Sequence, residues 1–128
     1  MEPQVVDKIV APGGRVVQQS QPTLIRQAVS KRTANEVAAM MRLVVREGTG
    51  TAAQIPGYTV GGKTGTAETG ISGSNTTWFI AFAGKDESSP PTVAIAVVLQ
   101  NQSGVGGTTA APIARAVMQA ILQRTENP

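Results

Sequence analysis

Lys63-Thr64-Gly65-Thr66 brings together residue types and a spacing that can do chemistry. On an extended strand successive side chains alternate between faces, so Thr64 and Thr66 share a face and offer two hydroxyls to one ligand. Lys63 adds a cation that can hold a carboxylate and bias nearby protons. Gly65 has no side chain, so a peptide or a flat ring can lie against the backbone. At a sheet edge a backbone N–H has no partner within the sheet and can polarise a carbonyl in acyl transfer. The plain alternative is an exposed edge lysine that merely discourages pairing between chains.

The same residues complete a phosphate-loop pattern, G-x-x-x-x-G-K-[ST], from Gly57 to Thr64. That loop needs a strand before it and a helix beginning at the lysine, so that N–H groups and the helix dipole face phosphates. Ala52 to Pro56 makes a poor buried strand and Thr64 to Gly70 a poor helix. Val93 to Leu99 runs into Gln100 and Asn101, not into an aspartate that would steer magnesium. The nucleotide reading is set aside.

The elements that must position these residues follow from pattern. Val5 to Val10 and Arg15 to Gln18 flank the turn cluster Ala11-Pro12-Gly13-Gly14 and predict a short hairpin. Thr33 to Glu36 reads as a capping box opening a helix to Glu47, with Val37, Met40, Met41, Val44 and Val45 on one apolar face. Gly48 is the expected left-handed stop. Gly48 to Thr51 is then a loop and Pro56-Gly57 a turn. Tyr58 to Thr66 is a strand, Glu68 to Thr76 a polar loop, and Thr77 to Ala83 and Thr92 to Leu99 an antiparallel pair. Val93 to Leu99 is apolar on both faces, as in a strand covered on both sides. A last helix is expected from Thr109 or Ala110, with Pro112 in its first turn. Ile113, Ala114, Val117, Met118, Ile121 and Leu122 would face inward, and Arg115, Gln119 and Gln123 outward. The fold class is α+β: three antiparallel strands, flanking helices and a small hairpin.

Composition narrows the function. The 128 residues are 41% hydrophobic and 15% charged, a globular balance. The net charge of +3 is spread over scattered basic residues with 3% aromatics, which argues against a nucleic-acid partner. With no cysteine and no histidine, the chain offers no disulfide, thiol nucleophile, histidine base or common zinc site. No cofactor and no metal is called for. No apolar run approaches the roughly 20 residues that span a bilayer.

Gly62 to Glu68 resembles the third active-site motif of class B penicillin-binding proteins, the K-T-G element of serine acyl-transfer enzymes that bind β-lactams. The flanks resemble the family in the same order: Gly48-Thr49-Gly50 with Ala52, Ile55-Pro56-Gly57, Trp78-Phe79, and Gly106-Gly107 with Ala110 to Ile113. The likeness runs from about Met1 to Leu122 and implies that Met1 is internal to a longer protein. It implies a D,D-transpeptidase that cross-links peptidoglycan stem peptides through an acyl-serine, at the outer face of the cytoplasmic membrane. By the same resemblance Lys63 supports the catalytic network, and the hydroxyls of Thr64 and Thr66 bind the carboxylate of a D-Ala-D-Ala terminus or a β-lactam. Gly65 keeps the strand open to them, and the N–H of Thr66 forms half of an oxyanion hole.

The family also needs S-x-x-K for nucleophile and base, and S-x-N for proton transfer; neither pattern occurs here. A serine without an activating base is a weak nucleophile. The chain is therefore expected to be the C-terminal part of the domain, residues 1–128, inactive alone. Two strands of a five-stranded sheet would be missing beside Thr92 to Leu99. That open edge invites self-association, or stability only beside the missing N-terminal half. Serine β-lactamases and β-lactam sensors share the K-T-G strand. Outside enzymes, a nucleophile-free module that captures cell-wall peptides fits the same residues.

Overall fold

The structure is a computed structural model that describes residues 2–126; Met1, where the resemblance begins, lies outside them. The chain divides into two compact units, residues 1–34 and 35–128.

In the first unit, β1 (Lys8–Val10) pairs antiparallel with β2 (Val16–Gln19), with an irregularity between Ile9 and Val10. Gly14, at φ +82°, closes the turn by donating its N–H to the Ala11 carbonyl. Ile9, Val10, Val16 and Val17 are all exposed, so this hairpin buries little of its own apolar surface.

Helix α1 (Lys31–Glu47) begins two residues before the expected cap. The cap is Ser30, whose hydroxyl accepts from the Thr33 N–H at 3.1 Å, while the Thr33 hydroxyl bonds that of Ser30 at 2.9 Å. The threonine stands three residues inside the cap, where its own hydroxyl cannot start the helix. Nor is Gly48 left-handed: it is not among the positive-φ glycines. The helix ends with the N–H groups of Gly48 and Gly50 both reaching the Val44 carbonyl. A Cβ at Gly48 would lie 2.9 Å from that oxygen, so steric room, not dihedral freedom, calls for glycine. Of the expected apolar face Val45 is buried, while Val37 and Met40 are exposed.

The main sheet is antiparallel in the order β3 (Thr59–Ile71), β4 (Ser74–Gly84), β5 (Val93–Gln102). Pro56-Gly57 leads into β3 as a turn, with Gly57 at φ +82° and the Tyr58 N–H on the Ile55 carbonyl. The expected loop from Glu68 to Thr76 is instead the continuation of β3 and β4. Gly70 (φ +79°) sits in an irregularity between Glu68 and Ile71, and Gly73 (φ +72°) turns the chain. This end of the hairpin extends past the core, so its strands carry no apolar alternation to reveal them.

Helix α2 (Gly106–Glu126) covers one face of the sheet. Ala110, Ala114, Met118 and Leu122, four apart, are buried with Phe79, Ala81 and Ala83 of β4. Small side chains let helix and sheet approach closely. The helix starts before Thr109, so Pro112 lies inside it and leaves the Thr108 carbonyl without its usual i+4 donor. The N–H groups of Thr108 and Thr109 both reach the Val105 carbonyl and extend the first turn. Ile113, Val117 and Ile121, expected inside, are about two-fifths exposed. β5 is the outer strand here, half-buried at Val93, Ile95, Val97 and Leu99 and exposed at Ala94, Ala96 and Val98.

Candidate functional site

Lys63, Thr64, Gly65 and Thr66 lie mid-strand in β3, opposite Ile80, Phe79, Trp78 and Thr77. β3 is the marginal strand of the sheet, so its far edge has no strand neighbour among the described residues. No helix starts at Lys63, and the phosphate-loop context fails. Thr64 and Thr66 share the face that carries buried Phe79 and Thr77, as strand alternation requires. Lys63 projects from the opposite face, beside exposed Ile80, and its Nζ donates to the Thr64 carbonyl at 2.6 Å.

Two further segments close on this strand. Thr49, in the loop after α1, places its Oγ1 2.8 Å from Thr64 Oγ1. Gly106, the first residue of α2, donates its N–H to Thr66 Oγ1 at 3.3 Å. These approaches are possible because the residues are glycines. A Cβ at Gly106 would meet the Trp78 carbonyl and lie 2.6 Å from the Gly65 carbonyl, and one at Gly107 would strike the Thr49 carbonyl. Gly65 itself has room for a Cβ only 3.2 Å from that of Trp78. Behind Thr66, the fully buried Thr77 hydroxyl meets Thr109 Oγ1 at 2.8 Å and ties α2 to β4.

Two cationic features border this edge: the Lys63 side chain, and the N-terminus of the 21-residue helix α2, which brings partial positive charge to Thr66. A cavity of about 480 Å³ opens elsewhere, lined by Arg42, Ile55, Tyr58, Val60 and Arg115 among others; Lys63 to Thr66 do not line it. Sequence reasoning brought together the strand residues but gave Thr49 and Thr109 no role in the site. Hydroxyl contacts between segments 15 and 32 residues apart leave no local pattern.

The penicillin binding protein transpeptidase domain model matches residues 1–119. The chain belongs to that family. It is 33% identical to penicillin-binding protein PbpB of Mycobacterium tuberculosis over 98% of this chain and 21% of the relative. Among solved structures, the D,D-transpeptidase domain of a peptidoglycan glycosyltransferase from Eggerthella lenta superposes with a TM-score of 0.73 at 36% identity, over 92% of this chain and 27% of that one. Penicillin-binding protein A from M. tuberculosis, as an imipenem acyl-enzyme complex, gives 0.71 at 30% identity, over 91% and 26%. The chain thus spans about a fifth of the curated relatives it matches first. Its α+β fold, with an antiparallel three-stranded sheet and flanking helices, is that of penicillin-binding transpeptidase domains.

Proposed function

We propose that this chain is the C-terminal part of a serine-type D,D-transpeptidase domain and supplies its K-T-G substrate-binding strand. The observation that carries the reading is the edge position of Lys63 to Thr66, with two hydroxyls on one face and a glycine between them. A stem peptide ending in D-Ala-D-Ala, or a β-lactam, lies along this edge with its carboxylate on Thr64 and Thr66. Lys63 reaches the same edge from the other face and steadies the anion and the proton-transfer groups. The N–H of Thr66 polarises the scissile carbonyl.

The nucleophile lies outside these residues, because neither S-x-x-K nor S-x-N occurs in them. A serine from the remaining part attacks the carbonyl of the penultimate D-alanine. The peptide C–N bond breaks, the terminal D-alanine leaves with a proton, and an amine of a second stem peptide takes the acyl group. The parent protein is anchored in the cytoplasmic membrane and works outside it; among the described residues no helix is long and apolar enough to cross a membrane.

Intact-mass analysis of the 128-residue chain after incubation with a reactive β-lactam tests the division of labour. No covalent adduct is expected, and a stable adduct on any of its serines would contradict it. The missing serine motifs also favour a second reading, a module that binds cell-wall peptides without processing them. That reading requires the chain alone to bind a D-Ala-D-Ala peptide in calorimetry, and to lose binding on Lys63→Ala.

A further inference from the structure

A threonine hydroxyl has one proton and two lone pairs, whereas a carboxylate only accepts. Thr64 and Thr66 can therefore serve a carboxylate only if each keeps its proton free. At Thr66 the geometry secures this: the Gly106 N–H can only donate, so it occupies a lone pair of Oγ1 and leaves the hydroxyl proton available. At Thr64 the partner is another hydroxyl, Thr49 Oγ1 at 2.8 Å, and either proton can lie between them. An arriving anion settles the direction. Thr64 turns its proton to the anion, and Thr49 donates its own to Thr64 Oγ1. Hydrogen bonds in such a chain polarise one another in the same sense, which makes Thr64 a stronger donor.

We propose that Thr49 is a positioning residue for carboxylate recognition, acting through Thr64 and resting on the reading of Lys63 to Thr66 given above. Its backbone is held from two sides. A Cβ on neighbouring Gly50 would already be 3.2 Å from the Phe79 ring and 3.3 Å from Val44 Cγ1, and Gly107 packs on the Thr49 carbonyl. The loop is thus seated on the core and aims its hydroxyl at the strand.

The test compares Thr49→Val, which keeps the shape and removes the donor, with Thr49→Ser, which restores it. In the transpeptidase carrying this chain, acylation is timed with a penicillin bearing a free carboxylate and with its methyl ester. Thr49→Val is expected to slow the carboxylate about fivefold, the effect of losing one hydrogen bond between neutral hydroxyls, and to leave the ester unchanged; Thr49→Ser recovers the rate. Equal slowing of both compounds, or of neither, overturns the proposal. In the 128-residue chain itself, NMR couplings should report one Thr64 χ1 rotamer in wild type and averaging in Thr49→Val. An unchanged single rotamer also overturns it. If instead Lys63→Ala leaves acylation by both compounds untouched, the carboxylate-site reading fails, and the Thr64 rotamer alone decides whether Thr49 positions it.

Discussion

Lys63 and Thr66 occupy opposite faces of the sheet, yet an edge strand lets one ligand meet both, because the margin is where the faces join. The hydroxyl of Thr66 accepts from the Gly106 N–H and, in the proposed site, would keep its proton for an anion. Thr66→Val removes both while keeping the backbone N–H. Acylation by a carboxylate-bearing β-lactam should fall about tenfold, and urea unfolding should show a loss of about 1 kcal/mol. Thr66→Ser should preserve both properties, and equal behaviour of the two variants would argue against this role. The alternation of Thr64 and Thr66 was legible in the sequence because a strand has period two. The partners of their hydroxyls were not, since those contacts depend on how α2 and the loop after α1 seat against β3.

Among the elements, the strands followed from apolar runs set between turn residues, and their ends did not. β3 and β4 run on into a polar hairpin with no buried face, and α2 begins at two glycines that sequence alone reads as loop. Those glycines are where packing overrides propensity. Gly106→Ala should destabilise by about 2–3 kcal/mol in urea titration, because the new Cβ meets backbone carbonyls of β3 and β4 that cannot step aside. Gly13→Ala, with nothing within 4 Å of its Cβ, is the matched control and should shift the midpoint little. The connection between β4 and β5 has its own anchor. Asp86 Oδ1 accepts from the Ser88 hydroxyl at 2.7 Å and from the N–H groups of Ser89 and Ser88 at 2.8 and 2.9 Å. The Ser88 hydroxyl bond, then the Ser89 N–H bond, lower its carboxyl from the usual 3.8 to about 2. A depressed carboxylate stabilises fully above its unfolded pKa, so this anchor is intact above about pH 4 and is lost as pH falls through about 2. NMR titration of the Asp86 carboxyl should show the low midpoint, and Ser88→Ala should raise it.

Across the whole molecule, the apolar surface left open is as informative as the core. In the larger unit Trp78, Ile80 and Val98 stand exposed on the sheet face away from α2, and β5 ends the sheet with an unpaired edge. An uncharged edge strand rich in valine, isoleucine, leucine and alanine invites pairing with another chain. Alone, the 128 residues should self-associate in sedimentation as concentration rises, and a sharp monomer over a wide range would contradict this. The remaining part of the domain is the proposed natural cover for the same surface. Whether this chain supplies the substrate-holding strand for a nucleophile carried elsewhere is decided at Lys63. The residue is exposed, so Lys63→Ala should leave the unfolding midpoint unchanged and isolate the chemistry. Time-resolved intact-mass analysis of the full transpeptidase with a penicillin should give a serine adduct that forms about 100-fold more slowly in Lys63→Ala, the cost of one charge-assisted contact. An adduct forming at the wild-type rate would mean that Lys63 has no part in holding the substrate.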